Sequence, residues 1–252
     1  MTVQFIQVHK TFQSPDGEVC ALQEVSFSVE DGAFVSIVGP SGCGKSTLLN
    51  ILAGLEQRSG GQVLLDGEPV SGTTARIGYM PQKDQLFPWR TIWGNVILGL
   101  EIRNMKTPEH LARVSTLLER YGLEAFREKL PAQLSGGMRQ RAALIRTMAT
   151  DPGLLLLDEP FSALDYQTRL AVSDDIHRII RQEGKTALLV THDISEAIAM
   201  SDQVVVLSSR PGVVRAIHDL EALRGLSPME RRDHPRFHRF FNDIWKELEL
   251  HG

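Results

Sequence analysis

The sequence predicts an α/β fold: a parallel core sheet, an N-terminal antiparallel β subdomain ahead of it and an α-helical subdomain inserted into it. Three observations predict it. Apolar runs of buried-strand type stand at 34–38, 154–157, 186–190 and 203–207, with helical patterns between the second and third and after the third. The first 75 or so residues read instead as short strands parted by glycine-containing turns. The middle third changes to helical spacing. The 252 residues are read as one domain, 1–252, with the helical insertion at about 86–150 and a short helical tail at about 216–252.

Each element has its own signal. Val25, Phe27 and Val29 alternate with polar residues, and Asp31-Gly32 turns the chain into the run at 34–38. A second turn, Asp66-Gly67, follows the strand run at 63–65. Between them, Leu48, Leu49, Ile51 and Leu52 share one face of a helix over 47–53, and Gly54 stops it. Thr107 caps a helix with Pro108 at its first position, and Leu111, Val114, Leu117, Leu118 and Tyr121 repeat along it until Gly122. Another helix is expected over 135–149, before Asp151-Pro152. Beyond Arg210-Pro211-Gly212 come a turn, a strand and a charged helix on which Phe237, Phe240, Phe241 and Ile244 form one face. Arg231, Arg232, Arg236 and Arg239 in that tail are offset by Glu230, Asp233, Asp243 and Glu247, which predicts a solvated helix.

Composition narrows the class. A hydrophobic fraction of 42% supplies a real core, and a net charge of −4 provides no basic field for nucleic acid or anionic lipid. No apolar run reaches the roughly 18 residues needed to span a bilayer, and the first ten residues lack the pattern of a signal peptide. Cys20 and Cys43 are too few for a disulfide framework and lack metal-ligand spacing. A cytoplasmic protein is expected.

The chemistry sits in one short loop. Gly39-Pro40-Ser41-Gly42-Cys43-Gly44-Lys45-Ser46 fits G-x-x-x-x-G-K-[ST] between a strand and a helix. Its glycines let backbone N–H groups curl around a phosphate chain, and the helix that opens through Ser46 and Thr47 aims its positive end there. ATP is the expected ligand, with Lys45 on the β and γ phosphates and Ser46 on Mg²⁺. The run 154–157 ends in Asp158-Glu159: Asp158 is placed to hold Mg²⁺ and Glu159 to face an attacking water. Otherwise this is a core strand whose acidic end meets solvent.

Leu134-Ser135-Gly136-Gly137-Met138-Arg139-Gln140 resembles the signature sequence of the ABC ATPases. A serine and two glycines opening a helix form a second phosphate-seeking helix end. The resemblance spans almost all of 1–215 and implies a P-loop NTPase core with a RecA-like parallel sheet. It also implies a head-to-tail ATP-sandwich dimer in which Ser135, Gly136 and Gly137 of one copy close over nucleotide bound by the other. Gln82 resembles the glutamine that touches Mg²⁺ and water. Asp165, in Ser162-Ala163-Leu164-Asp165, resembles the loop that crosses to the partner. His192 resembles the switch histidine that contacts the γ-phosphate, although Asp193 with Glu196 also reads as a capping box. Phe12 takes the place of the aromatic that stacks on adenine, or is a core residue.

The same family resemblance implies a motor for a membrane permease, peripheral on the cytoplasmic face of the inner membrane. Coupling is expected near Leu86-Phe87-Pro88-Trp89-Arg90, unless Trp89 packs in the core. The wording around 88–101 and of the signature is similar to importers of the nitrate, sulfonate and taurine class, fed by an extracytoplasmic solute-binding protein. Importers of thiamine-precursor pyrimidines look alike, and a non-transport ABC ATPase is the further alternative.

Overall fold

The computed structural model describes residues 1–15 and 17–249; the last three positions of the expected tail, 250–252, lie outside the described residues. Strands β1 (Val3–Ser14), β2 (Gly17–Val29), β4 (Gly60–Leu65) and β5 (Glu68–Pro69) form an antiparallel sheet in the order β2-β1-β4-β5. The second sheet has the order β10-β9-β3-β8-β7-β6. Its members are β3 (Phe34–Val38), β6 (Ile77–Met80), β7 (Leu154–Asp158), β8 (Thr186–Val190), β9 (Gln203–Leu207) and β10 (Val214–Asp219). All its pairings are parallel except that of β10 with β9. Strands β3, β7 and β8 are buried along their whole length, which is why they read as continuous apolar runs.

The antiparallel sheet departs from the short strands expected. β1 and β2 run 12 and 13 residues, because irregularities in their register let the strands coil without breaking. Gln7 and Glu24, at φ 47° and 51°, sit at these irregularities without the glycine that would mark them.

Helix α1 (Lys45–Leu52) leaves β3 through the glycine loop. The insertion carries α2 (Ile92–Val96), α3 (Leu98–Ile102), α4 (Pro108–Arg120) and α5 (Gly136–Met148). Thr107 and Ser135 cap α4 and α5 by accepting from His110 N and Met138 N. Apolar residues of these helices, such as Ile92, Val96, Leu117 and Ile145, share a core with β7, β8 and α6 (Tyr166–Gln182). A second core joins the two sheets and α1. The third gathers α7 (Ile194–Met200), β9 and α9 (Phe237–Glu249), reached through α8 (Pro228–Asp233).

The tail corrects one expectation. Arg231 is not solvated but 1% exposed, donating to Leu226 O at 3.1 Å and to Ser201 O, with Asp202 Oδ1 3.7 Å away. Arg181 reaches the same carboxylate at 2.6 Å, so α6 and α8 share one anion. Charge alternation along a helix cannot reveal such an inward arginine. No helix among the described residues is long and apolar enough to cross a membrane.

Candidate active site

The glycine loop joins the C-terminal end of β3 to α1, where ligands collect in open parallel sheets. Gly42 and Gly44 adopt φ +75° and +103°, conformations that side chains resist. Crowding adds to this: a Cβ on Gly44 would stand 2.7 Å from Leu22, and one on Gly39 2.8 Å from Cys43 Sγ. Lys45 folds back and donates to Gly39 O at 2.7 Å and Pro40 O at 2.9 Å, so its ammonium already lies inside the loop. Cys43 is buried beneath it, and burial pushes its thiol pKa up against the Lys45 charge. That thiol is filler rather than a ready nucleophile.

The cleft over this loop holds about 280 Å³ and is lined by Ser41, Gly42, Gly44, Lys45, Ser46 and Thr47, with Glu159 at one side. Phe12 edges the same cleft at 37% exposure, which settles it as a rim residue and not a core one. Lys10 Nζ stands 4.5 Å from its ring centroid.

Asp158 closes β7 beside the loop. Its Oδ1 accepts from Ser46 Oγ at 3.0 Å and its Oδ2 from Tyr79 Oη at 3.0 Å, so both oxygens are oriented. Burial pushes its pKa up; the bonds from Ser46 and Tyr79 pull it down, while the Glu159 charge adds to the rise. Tyr79, at the end of β6, is itself held neutral by burial and by Asp158. A hydroxyl and a carboxylate turned together offer the hard oxygen donors that suit Mg²⁺ held jointly with phosphate. The donor set fits the ion.

Glu159 follows at φ +44°, a strained conformation for a non-glycine residue, secured by its N–H donating to Val190 O at 2.9 Å. Gln82 Nε2 at 3.3 Å and His192 Nδ1 at 3.2 Å converge on its Oε2. Three residues far apart in sequence therefore meet at one carboxylate oxygen, at the ends of adjacent strands β6, β7 and β8. Asp193 caps α7 by accepting from Glu196 N at 3.1 Å, but the expected capping box is incomplete. Glu196 instead accepts from Thr191 Oγ1, the residue before His192.

Ser135, Gly136, Gly137 and Asp165 do not line the cleft of their own chain. Ser135 and Asp165 are exposed N-caps of α5 and α6. The two glycines also have a packing cause, since Cβ atoms there would stand 2.9 Å from Leu164 and 2.6 Å from Val172. Trp89 is 72% exposed, its ring 5.1 Å from that of Phe87, so it is not core. Sequence reasoning passed over Tyr79 and Arg210, which lines the cleft from the β9–β10 loop. Their only signal is position at the C-terminal edge of the sheet.

Comparison with known proteins bears on the chain as a whole. The sequence family described as ABC transporter matches residues 22–162. The chain is 48% identical to the uncharacterized ABC transporter ATP-binding protein YtlC of Bacillus subtilis (strain 168), over 96% of this chain and 93% of that one. It is 39% identical to the aliphatic sulfonates import ATP-binding protein SsuB of Bacillus anthracis, covering 86% and 85% of the two chains. Identity to the taurine import ATP-binding protein TauB of Yersinia pestis bv. Antiqua (strain Antiqua) is 45%, over 77% and 76%. The solved structure of the ATP-binding cassette MJ0796, a dimer in a post-hydrolysis state with ADP and Pi, superposes with a TM-score of 0.73 at 32% identity, over 87% of this chain and 99% of that one. With fold, loop chemistry and kinship in agreement, this chain belongs to the ABC transporter family, as one of its ATP-binding, ATP-hydrolysing subunits.

Proposed function

We propose that the chain powers uptake of a small solute of the nitrate, sulfonate or taurine type through a membrane permease. Lys45 and the loop N–H groups from Gly39 to Thr47 hold the triphosphate, and Phe12 carries the adenine. Ser46, Asp158 and Gln82 are the residues that would hold Mg²⁺, which would supply charge neutralisation to the triphosphate. Glu159 takes the proton of the attacking water, while His192 and Gln82 orient its carboxylate and sense the γ-phosphate. The single observation carrying this reading is the convergence of Gln82 and His192 on Glu159 Oε2 beside the glycine loop.

A second copy completes the site, its Ser135, Gly136, Gly137 and Asp165 meeting the terminal phosphate. The dimeric MJ0796 cassette supports this arrangement. ATP favours the closed dimer only by its differential contacts across the shared site, so hydrolysis releases it. Exposed Trp89 and the half-buried Phe87 beside it, a few residues beyond Gln82, are the surface for a permease helix, which would hold the chain at the cytoplasmic face of the inner membrane. The sulfonate and taurine importers among the relatives support the solute class and, with it, an extracytoplasmic binding protein.

Glu159→Gln tests the chemistry: ATP affinity measured by equilibrium titration stays within about twofold, and hydrolysis falls on the order of 10²-fold. Turnover near the wild-type rate in the presence of the permease would remove Glu159 from the mechanism.

A further inference from the structure

The turn between β9 and β10 is built against the glycine loop from outside. Gly212 N donates to Ala21 O at 2.9 Å and Gln23 N to Gly212 O at 3.0 Å, which ties the turn to β2. Gly212 lies so close to the loop that a Cβ would stand 2.2 Å from Cys43 O. Buried Ser208 fixes the turn from within, with Pro211 O 2.9 Å from its hydroxyl and Val213 N donating to it at 3.0 Å. The base of the Arg210 side chain is therefore held by backbone bonds on both sides.

From that base the Arg210 guanidinium reaches over the loop. Nε and Nη2 both donate to Gly42 O, at 3.3 and 3.2 Å, and the residue lines the cleft shared by Phe12, Lys45 and Glu159. Lys45 and Arg210 are its two lining cations. Lys45 is buried with its ammonium on loop carbonyls, whereas Arg210 is exposed and, among the described residues, forms no salt bridge with a carboxylate. Two N–H groups resting on one neutral carbonyl are weakly held compared with a fork on phosphate oxygens.

We propose that Arg210 is a nucleotide-contact residue, its guanidinium binding phosphate oxygens of the ATP seated in the glycine loop. The claim rests on the reading of the loop as an ATP site and adds a contact from a segment far outside the motif. The β9–β10 turn thereby becomes a wall of the nucleotide site, and its arginine adds charge where Lys45 alone stands.

Equilibrium competition of Mg-ATP against a fluorescent ATP analogue tests it on wild type, Arg210→Ala, Arg210→Gln and Arg210→Lys. Alanine and glutamine are expected to weaken ATP about tenfold, the effect of one charge-assisted bond, and lysine to recover part of that. The loss shrinks as salt is added, because the site is open to solvent. Glutamine can still donate to Gly42 O, so glutamine at wild-type affinity would show a neutral brace on the loop and overturn the proposal. An alanine variant that binds as wild type does the same. Melting without nucleotide is followed in parallel; if alanine melts early, glutamine against lysine decides. Wild type that binds no ATP would sink the ATP reading together with this one, whereas a wild type that binds beside indifferent variants sinks only the role of Arg210.

Discussion

Asp158, proposed above as a Mg²⁺ ligand, has a side chain already oriented by its neighbours. Its buried carboxylate would be costly alone, and Ser46 and Tyr79 each donate to one oxygen at 3.0 Å. Ser46 belongs to the motif, but Tyr79 comes from the neighbouring strand and fixes the rotation of the carboxylate. Tyr79→Phe should therefore leave ATP binding without Mg²⁺ unchanged and raise the Mg²⁺ concentration needed for half-maximal binding, roughly three- to tenfold for one lost bond to a charged group. Titration of Mg²⁺ against bound fluorescent nucleotide reads this directly. An unchanged Mg²⁺ requirement would reduce Tyr79 to packing.

At the scale of elements, α7 carries a proton-sensitive contact next to His192. Glu196 is 5% exposed; burial raises its pKa to about 7, against the hydrogen bond from Thr191, and its Oε1 has no partner. The folded value lies above the unfolded one, near 4.5, so the native state binds this proton more tightly. Its stabilisation is complete below about pH 4.5 and is lost as pH rises through about 7, by an amount on the order of 3 kcal/mol. Glu196→Gln, always neutral, should melt above wild type at pH 8 and close to it at pH 5. A melting difference independent of pH would contradict the assignment.

Elements also show what was legible. The caps at Thr107 and Ser135 and the loop at 39–46 were readable because their chemistry is local: a hydroxyl three residues from an N–H, glycines beside a lysine. Helices α2 and α3, five residues each, were not, since no period develops over so short a span and burial of Ile92, Val96 and Leu100 holds them. The same limit hid Tyr79, Arg210 and the inward Arg231, whose partners lie 79, 168 and 30 residues away. By contrast, Glu159 was legible as the acidic end of a buried strand and Gln82 and His192 through family resemblance, and the fold brings all three together at one carboxylate oxygen.

Across the whole molecule, the glycine loop lines the cleft, whereas the Ser135 helix tip is exposed and does not line the cleft of its own chain. In the proposed arrangement a single copy presents two half-sites, and two copies related head to tail would complete both. The most direct measurement is the solution mass of Glu159→Gln by light scattering with Mg-ATP. The account predicts a doubling from 28.1 kDa that vanishes without nucleotide and is prevented by Ser135→Arg. A chain that binds ATP but stays monomeric, or a Ser135→Arg variant that pairs as readily, would contradict it.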